Sequence, residues 1–545
     1  MMLVLTLPTL GGGRTIRFSS VYKETPVTLE ASYWQGDNGY AVLICPGYSC
    51  DRQKWRPFAD VLAAEGFSVM SFDYSGQGAS SGTIGFDNAK TDAIPVQIDA
   101  AIARLHEVSG IAYDRILLLG HSMGGRAVLR LLDDYNDPAA VTTLQRRELG
   151  GAILLSPEVN YHFNAQASLF AGTSDESEEP WKSLTAECTG GTDIYLYGST
   201  ADDIVKDEDV LAIYRRLGGI GAPEEGRCAA SSVSEAGSRL TVGITGGVLH
   251  SYMMYSPKFV RFLKEALTDI TGLPMHYPAQ RIALVYGGWL LGLLGVMLTL
   301  LGLNAGAVDA CSDGVPVLVD AGAFLRRKLL LWIPGLLAAG VICCVCVVMP
   351  FGSPVMNTPY LCSIAGYGLV MLLGYRRGRF RGTEGKLPKP GLRLSGRGIG
   401  LCLPVAAALC AFVWFVLRCT MYRLIPWNAR LFWVVFAAVL MAVGYYVSGC
   451  ESDMLRAAGA GTGVRLLYSL IQYVPLFLLV AFYLWLKSYS GMIGQIQNMI
   501  LMYVFCVPLG DYLRRKTGNR IVGAVVTAFL FQTLMITSAA LIAIF

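Results

Sequence analysis

The sequence predicts an α/β domain, with a mostly parallel sheet and helices on both faces, followed by an all-α transmembrane bundle of about eight helices. Three observations carry that prediction. Across residues 25–267, apolar runs of strand length alternate with helical patterns, as the crossover units of a parallel sheet require. At Ile116-Leu-Leu-Leu-Gly-His-Ser-Met-Gly-Gly-Arg126 a strand passes straight into a helix through a serine flanked by glycines. The third observation is charge: residues 281–545 hold 22 of the chain's 44 Lys+Arg but only 7 of its 40 Asp+Glu, a net of +15 against −11 in the first 280. With 53% hydrophobic and 15% charged residues, the chain is too apolar for a purely soluble protein. The basic residues of the second half fall in short runs between apolar stretches, which is the pattern of membrane flanks and not of a nucleic-acid surface.

Taken in order, Thr25 to Trp34 and Gly39 to Cys45 are strands, the second ending in Cys45-Pro46-Gly47-Tyr48. Pro57 to Glu65 suits a helix closed by Gly66, and Phe67 to Phe72 a third strand, followed by Asp73-Tyr-Ser-Gly-Gln-Gly-Ala-Ser-Ser-Gly82. A helical pattern runs from Asp92 to His106, the strand from Ile116 delivers Ser122, and Arg126 to Asp134 is helical again. Gly151 to Ser156 is another strand. Residues 157–191 then lack periodicity and carry the acidic cluster Asp175-Glu-Ser-Glu-Glu179, so they predict an irregular cap insert. Thr192 to Tyr197 resumes the sheet and delivers Asp202 and Asp203; Leu240 to Ile244 is the last strand and delivers His250. A helix from Ser256 to Leu267 closes the domain, predicted over residues 15–272. The Pro46 turn, the Asp73 loop and the Ser122 turn all follow strand carboxyl ends, hence lie on the one rim where such sheets bind ligands.

The succession Pro46-Gly47-Tyr48, Asp73-Tyr-Ser-Gly-Gln-Gly-Ala-Ser80, Gly120-His-Ser-Met-Gly-Gly125, Gly198-x-x-x-Asp202-Asp203-Ile-Val205 and a late His250 before a Ser256-Pro257 helix resembles the α/β-hydrolase family. It is most similar to the branch of monoacylglycerol-lipase-like esterases and serine aminopeptidase relatives, over about residues 15–270. The resemblance implies acyl transfer through a serine nucleophile and leaves the substrate open, since this fold hosts esterases, lipases, thioesterases, acyltransferases and peptidases. One departure is Pro46-Gly47, where many relatives have His-Gly.

Serine is a weak nucleophile at its free pKa, so Ser122 needs a base within hydrogen-bond reach and the base an orienting carboxylate. Of five histidines, His106 lies on a helix ahead of the rim, His121 is locked into the turn, His162 falls in the insert and His276 at the domain junction. His250 alone follows a strand at the right end. The acid follows the preceding strand, which leaves Asp202 or Asp203; the family's Asp-x-Ile-Val pattern sets it on Asp202, with Asp203 the alternative. The oxyanion formed on attack needs backbone donors, for which Met123 and Tyr48 are the candidates. Asp73 is a turn former, and no metal or cofactor is called for. Cys45, Cys50, Cys188 and Cys228 match no zinc or disulfide spacing, and Cys343-x-x-Cys346 lies inside an apolar run as helix-packing side chains.

The transmembrane domain is predicted over 278–545, with apolar stretches at 281–303, 329–349, 358–375, 400–417, 431–447, 466–486, 491–510 and 521–545; the third and fifth are short, so seven spans is the alternative. Gln472, Gln495, Gln497, Asp511 and Gln532 serve helix-to-helix hydrogen bonds or line a path. With eight spans, connections 304–328, 376–399, 448–465 and 511–520 carry 17 basic residues against 4 in those on the other side. The first set is then cytoplasmic and the α/β domain extracytoplasmic. No export signal precedes that domain, so residues 1–14 are expected to be the remnant of a longer membrane segment. The expectation is a multi-pass membrane serine hydrolase cleaving a lipid-like ester or thioester. A serine peptidase, and a transporter or sensor with a ligand-binding domain of this fold, are the alternatives.

Overall fold

The computed structural model describes residues 13–280 except 23, 85–87, 137–143, 145, 159–184, 222, 224–228 and 235–236, scattered residues of 282–302, and the segments 314–349, 352, 354, 358–377, 380–387, 429–471, 506–536 and 541. The chain divides into two compact units, the break falling after Leu290.

The first unit is built on a nine-stranded sheet of strands β1 (Arg14–Tyr22), β2 (Thr25–Trp34), β3 (Ala41–Cys45), β4 (Ser68–Asp73), β5 (Ile116–His121), β6 (Gly151–Leu155), β7 (Ile194–Ser199), β8 (Ala229–Val233) and β9 (Arg239–Thr245). Their spatial order is β1-β2-β4-β3-β5-β6-β7-β9-β8. Neighbours from β4 to β9 pair in parallel, and the β1–β2, β2–β4 and β9–β8 pairs are antiparallel. The central strands are buried on both faces, which is why Ala41–Cys45, Ile116–His121 and Gly151–Leu155 are apolar without alternation. β1 at the edge alternates between buried and exposed positions instead. The sequence shows no strand signal at β1 or β8, because an edge strand needs few apolar residues and Ala-Ala-Ser-Ser-Val has almost none.

Helices α1 (Arg56–Ala64) and α5 (Pro257–Thr271) cover one face, packing Phe58, Phe259, Leu263 and Leu267 onto Val42, Leu117, Ile153, Tyr195 and Tyr197. On the other face lie α2 (Asn88–Ser109), α3 (Met123–Asn136) and α4 (Asp207–Arg216). For α5, the Ser256 hydroxyl accepts from the Lys258 N–H, Pro257 occupies the first turn, and Gly272 in the left-handed region ends the helix. Tyr277, Ala279 and Ile282 join the α1–α5 cluster, and the Glu65 carboxylate accepts from the His276 and Tyr277 N–H groups at 3.0 and 2.8 Å. These contacts carry the first unit past Pro278, where the charge break predicts the join.

The second unit contains α6 (Ala321–Leu330), α7 (Trp332–Val347), α8 (Thr358–Arg376), α9 (Ala429–Ala457), α10 (Thr462–Ile471), a helical segment at 506–517 and α11 (Arg520–Ile536). A two-stranded ladder pairs Val317–Leu318 (β10) with Thr383–Glu384 (β11). Among the described residues two helices are long and apolar enough to cross a membrane, Ala321–Cys346 and Arg430–Ala457; Leu361–Arg376 and Arg520–Thr533 are apolar but shorter. The two qualify by length and composition only, and the expected bundle of eight is not supported among the described residues. The predicted stretch 400–417, residues 472–486 of the stretch 466–486 and 491–505 of the stretch 491–510, and with them Gln472, Gln495 and Gln497, lie outside the described residues, as do residues 1–12 and residues 159–184 of the predicted insert 157–191. Small residues bring the helices together: a Cβ added to Gly368 of α8 would lie 2.4 Å from Cα of Gly444 of α9. Cys346 of α7 and Cys362 of α8 are both buried, and these two helices pack on each other. Gln532 is buried and donates to the Met441 thioether.

Candidate active site

The Ser122 turn follows from its residues. β5 ends at His121 and α3 starts at Met123, so Ser122 alone reverses the chain, at φ 53°. That left-handed backbone is costly for a non-glycine residue and persists only where the surroundings over-determine it. They do so here: the Ser122 N–H donates to the Leu155 carbonyl at 3.0 Å, and its own carbonyl accepts from the Arg126 and Glu158 N–H groups at 3.0 and 3.1 Å. Glycine is required at position 124, because a Cβ there would lie 2.1 Å from the Cys45 carbonyl oxygen. The same close approach seats the Pro46-Gly47-Tyr48 loop beside the serine, with the position of a Gly47 Cβ 3.2 Å from Ser122 Cβ. Met123 opens α3, where N–H groups have no intrahelical acceptor and the helix dipole favours negative charge.

His250 opens a short 3-10 turn after β9 and is buried. Its Nδ1 lies 2.9 and 3.1 Å from the two carboxylate oxygens of Asp202. Asp203 is turned away from the ring, and its Oδ1 accepts from the His250 backbone N–H at 3.0 Å. Burial alone would raise the Asp202 pKa. The hydrogen bond and charge of His250, with the Ile204 and Val205 N–H groups, outweigh burial and hold the carboxyl below its ordinary value. His250 Nε2 is buried with no hydrogen-bond partner, so the Ser122–His250 bond is not closed in this arrangement. Such bonds commonly close only when substrate binds.

The remaining histidines are placed elsewhere. His106 Nδ1 bonds the Ile111 carbonyl and its ring stacks on Tyr113, His276 is exposed beside Glu65, and His162 lies outside the described residues. His121 is within the site, its ring 4.9 Å from that of His250 and 5.8 Å from that of Trp55. Burial, and then the charge of His250, lower its pKa to about 3, so it is neutral at working pH. Its folded-state pKa is depressed, so between about 6.5 and about 3 the unfolded chain binds a proton the folded one refuses. Stability is therefore lost as pH falls through that window. His121→Phe is expected to lose less stability than the native chain between pH ~7 and ~4.5 in urea titrations. Parallel losses in the two proteins would contradict this.

Three residues at or beside the site carry no signal in the sequence. Glu158 follows β6, holds Ser122 through its backbone N–H and pairs with Arg126 of α3 at 2.9 Å. Its burial pushes the carboxyl pKa up, against Arg126 and His250, which lower it. Arg52 is buried and links Glu30, Ser32 and Asp73; Asp73 also accepts from the Ala79 N–H at 2.9 Å and so acts as the turn former expected of it. Opposite charges 32 or 21 residues apart show their pairing only once the chain is folded. Cys45, Cys50 and Cys188 are free thiols, and burial pushes Cys45 up to about 12.

Residues 37–217 match the family described as serine aminopeptidase, S33. Among solved structures, an esterase of Pyrococcus furiosus is 18% identical and covers 48% of this chain and 94% of its own, with a TM-score of 0.33. An esterase of Thermogutta terrifontis is 16% identical (48% and 100% covered, TM-score 0.33), and a monoacylglycerol lipase of Paleococcus ferrophilus 16% identical (44% and 99% covered, TM-score 0.31). No curated relative matches the chain. The sheet order and the strained serine turn give residues 14–271 the α/β-hydrolase fold, and the family match falls within it, on residues 37–217.

Proposed function

We propose that this chain is a membrane-integral serine hydrolase that cleaves an ester or thioester through an acyl-enzyme on Ser122. The observation that carries the reading is the buried Asp202–His250 pair on the rim that also bears the strained Ser122 turn. In the proposed cycle Ser122 Oγ attacks the substrate carbonyl while His250 Nε2 takes the hydroxyl proton. Asp202 holds the ring by Nδ1 and stabilises the imidazolium. The N–H groups of Met123 and Tyr48 receive the oxyanion. The alcohol or thiol leaves with the proton from His250, and water, activated by the same nitrogen, releases the acid.

An ester is favoured over a peptide with a free amino terminus. Recognition of an ammonium group calls for a carboxylate not otherwise engaged, and the carboxylates nearest Ser122 and His250 in these contacts are committed: Asp202 to the His250 ring, Asp203 to its backbone, Glu158 to Arg126. A strained nucleophile turn also has no use in a domain that only binds, which counts against the transporter or sensor reading. The apolar α7 supports delivery of a lipid-like substrate from the bilayer. Fluorophosphonate labelling followed by parallel acyl-ester and peptide panels tests the reading. Turnover of peptides in preference to esters would overturn it.

The basic-connection count supports an extracytoplasmic hydrolase domain, since a segment as basic as 376–399 resists translocation. In intact cells, a membrane-impermeant thiol reagent is expected to label an engineered Glu107→Cys in the hydrolase domain and to spare Lys386→Cys. The opposite pattern would reverse the orientation, and protection of both would place the enzyme inside behind seven spans.

A further inference from the structure

In the second unit, two acidic side chains of α9, Glu451 and Asp453, are paired in the interior. Lys328 of α6, fully buried, pairs with Glu451 of α9 and donates to the Tyr468 carbonyl of α10 at 2.9 Å; the Tyr375 hydroxyl of α8 bonds the same carboxylate at 3.4 Å. Two residues on, buried Asp453 pairs with Arg514 and accepts from Arg520 Nε at 2.9 Å, while Asp511 accepts from Arg514 at 2.7 Å and lies 3.9 Å from Arg456. The β10–β11 ladder ties residues 317–318 to 383–384. The described parts of the basic connections, 314–328, 380–387, 448–465 and 511–520, therefore converge on one end of the unit.

What remains exposed at that end is mostly basic. Arg326, Arg376, Arg377, Arg381 and Lys386 are exposed there, against Asp320 and Glu384, and the Asp320 side chain is engaged as the N-cap of α6 at the Ala323 N–H. Directly after Arg326, Leu330, Ile333, Leu337 and Val341 are each more than 60% exposed. An apolar wall without protein cover, ending in a cationic belt, has the layering of acyl chains under phosphate headgroups.

We propose that this end of the helical unit is a docking surface for the anionic phosphate headgroups of membrane phospholipids, held together by the Lys328–Glu451 and Asp453–Arg514–Arg520 clusters. The proposal rests on the membrane-integral reading, and the two fail separately. If an alkaline carbonate wash strips the full chain from membranes, the membrane reading falls and the docking surface with it. If the chain is retained, it is reconstituted in equal phosphatidylglycerol and phosphatidylcholine, re-extracted with detergent, and its bound lipid quantified. Surface cations each favour an anionic leaflet by about fivefold, so an excess of phosphatidylglycerol of at least ~tenfold is expected. Arg376→Ser, Arg377→Ser, Arg381→Ser and Lys386→Ser combined are expected to bring the ratio near one. Since that variant can misfold, the native chain is also measured in about 1 M salt, where screening within about 3 Å is expected to erode the preference. Equal retention of both lipids by the native chain, a preference unmoved by salt, or displacement of the lipid by RNA at equal phosphate would overturn the proposal, the last assigning the surface to nucleic acid.

Discussion

Replacing Ser122 by alanine is expected to abolish both fluorophosphonate labelling and the hydrolysis of short p-nitrophenyl esters, the largest single effect expected of any substitution in this chain. The hydroxyl is the only group on the strained turn that can form the acyl bond. Removing the base is expected to act nearly as strongly, since members of such a unit lose their effect together and not by addition: His250→Ala is expected to fall within about tenfold of Ser122→Ala. The substitution is not expected to unfold the domain. The backbone bonds from Leu155, Arg126 and Glu158 that hold residue 122 do not involve its side chain, and alanine is no worse than serine at φ 53°. Labelling retained at another serine in Ser122→Ala would remove the assignment.

The second large effect separates two adjacent carboxylates. Asp202→Asn is expected to lower kcat by roughly four orders of magnitude, because the amide presents the wrong partner to His250 Nδ1 and no longer stabilises the imidazolium. Asp203→Asn keeps an oxygen that can accept from the His250 N–H, and is expected to cost less than about tenfold. Thermal melting of both variants is the control, so that loss of fold is not read as loss of chemistry. The reverse order of activities would move the acid by one residue.

The serine turn was legible because it is local. Gly120 to Arg126 encode strand, reversal and helix within seven residues, and the steric demand at Gly124 comes from a strand that ends at a proline and a glycine of its own. His250 was legible because the chain has so few histidines. Asp202 against Asp203 was not decided by spacing, since both follow β7 on the same loop. Their different directions appear only when the 3-10 turn at His250–Tyr255 presents ring and backbone to different neighbours. Glu158 and Arg126 were not legible at all, because each is an ordinary charged residue until β6 is laid beside β5.

The same division holds for the whole chain. By itself the sequence determined the properties that depend on neighbours along the chain: the alternation of strand and helix, the serine turn, the apolar stretches and the change of charge between halves. Hydrophobic period and glycine placement act over a few residues and need no partner. Tertiary structure alone decided what depends on distant groups meeting: the addition of β1 and β8 at the sheet edges, the extension of the first unit to Leu290, and which of Asp202 and Asp203 meets the His250 ring and which its backbone N–H. It also decided that Glu451 and Asp453 are spent on Lys328, Arg514 and Arg520, leaving the exposed cations in excess over Asp320 and Glu384. A charge can be counted in a sequence, but whether it is neutralised depends on Coulomb interactions across a few ångströms, and only the folded chain sets those distances.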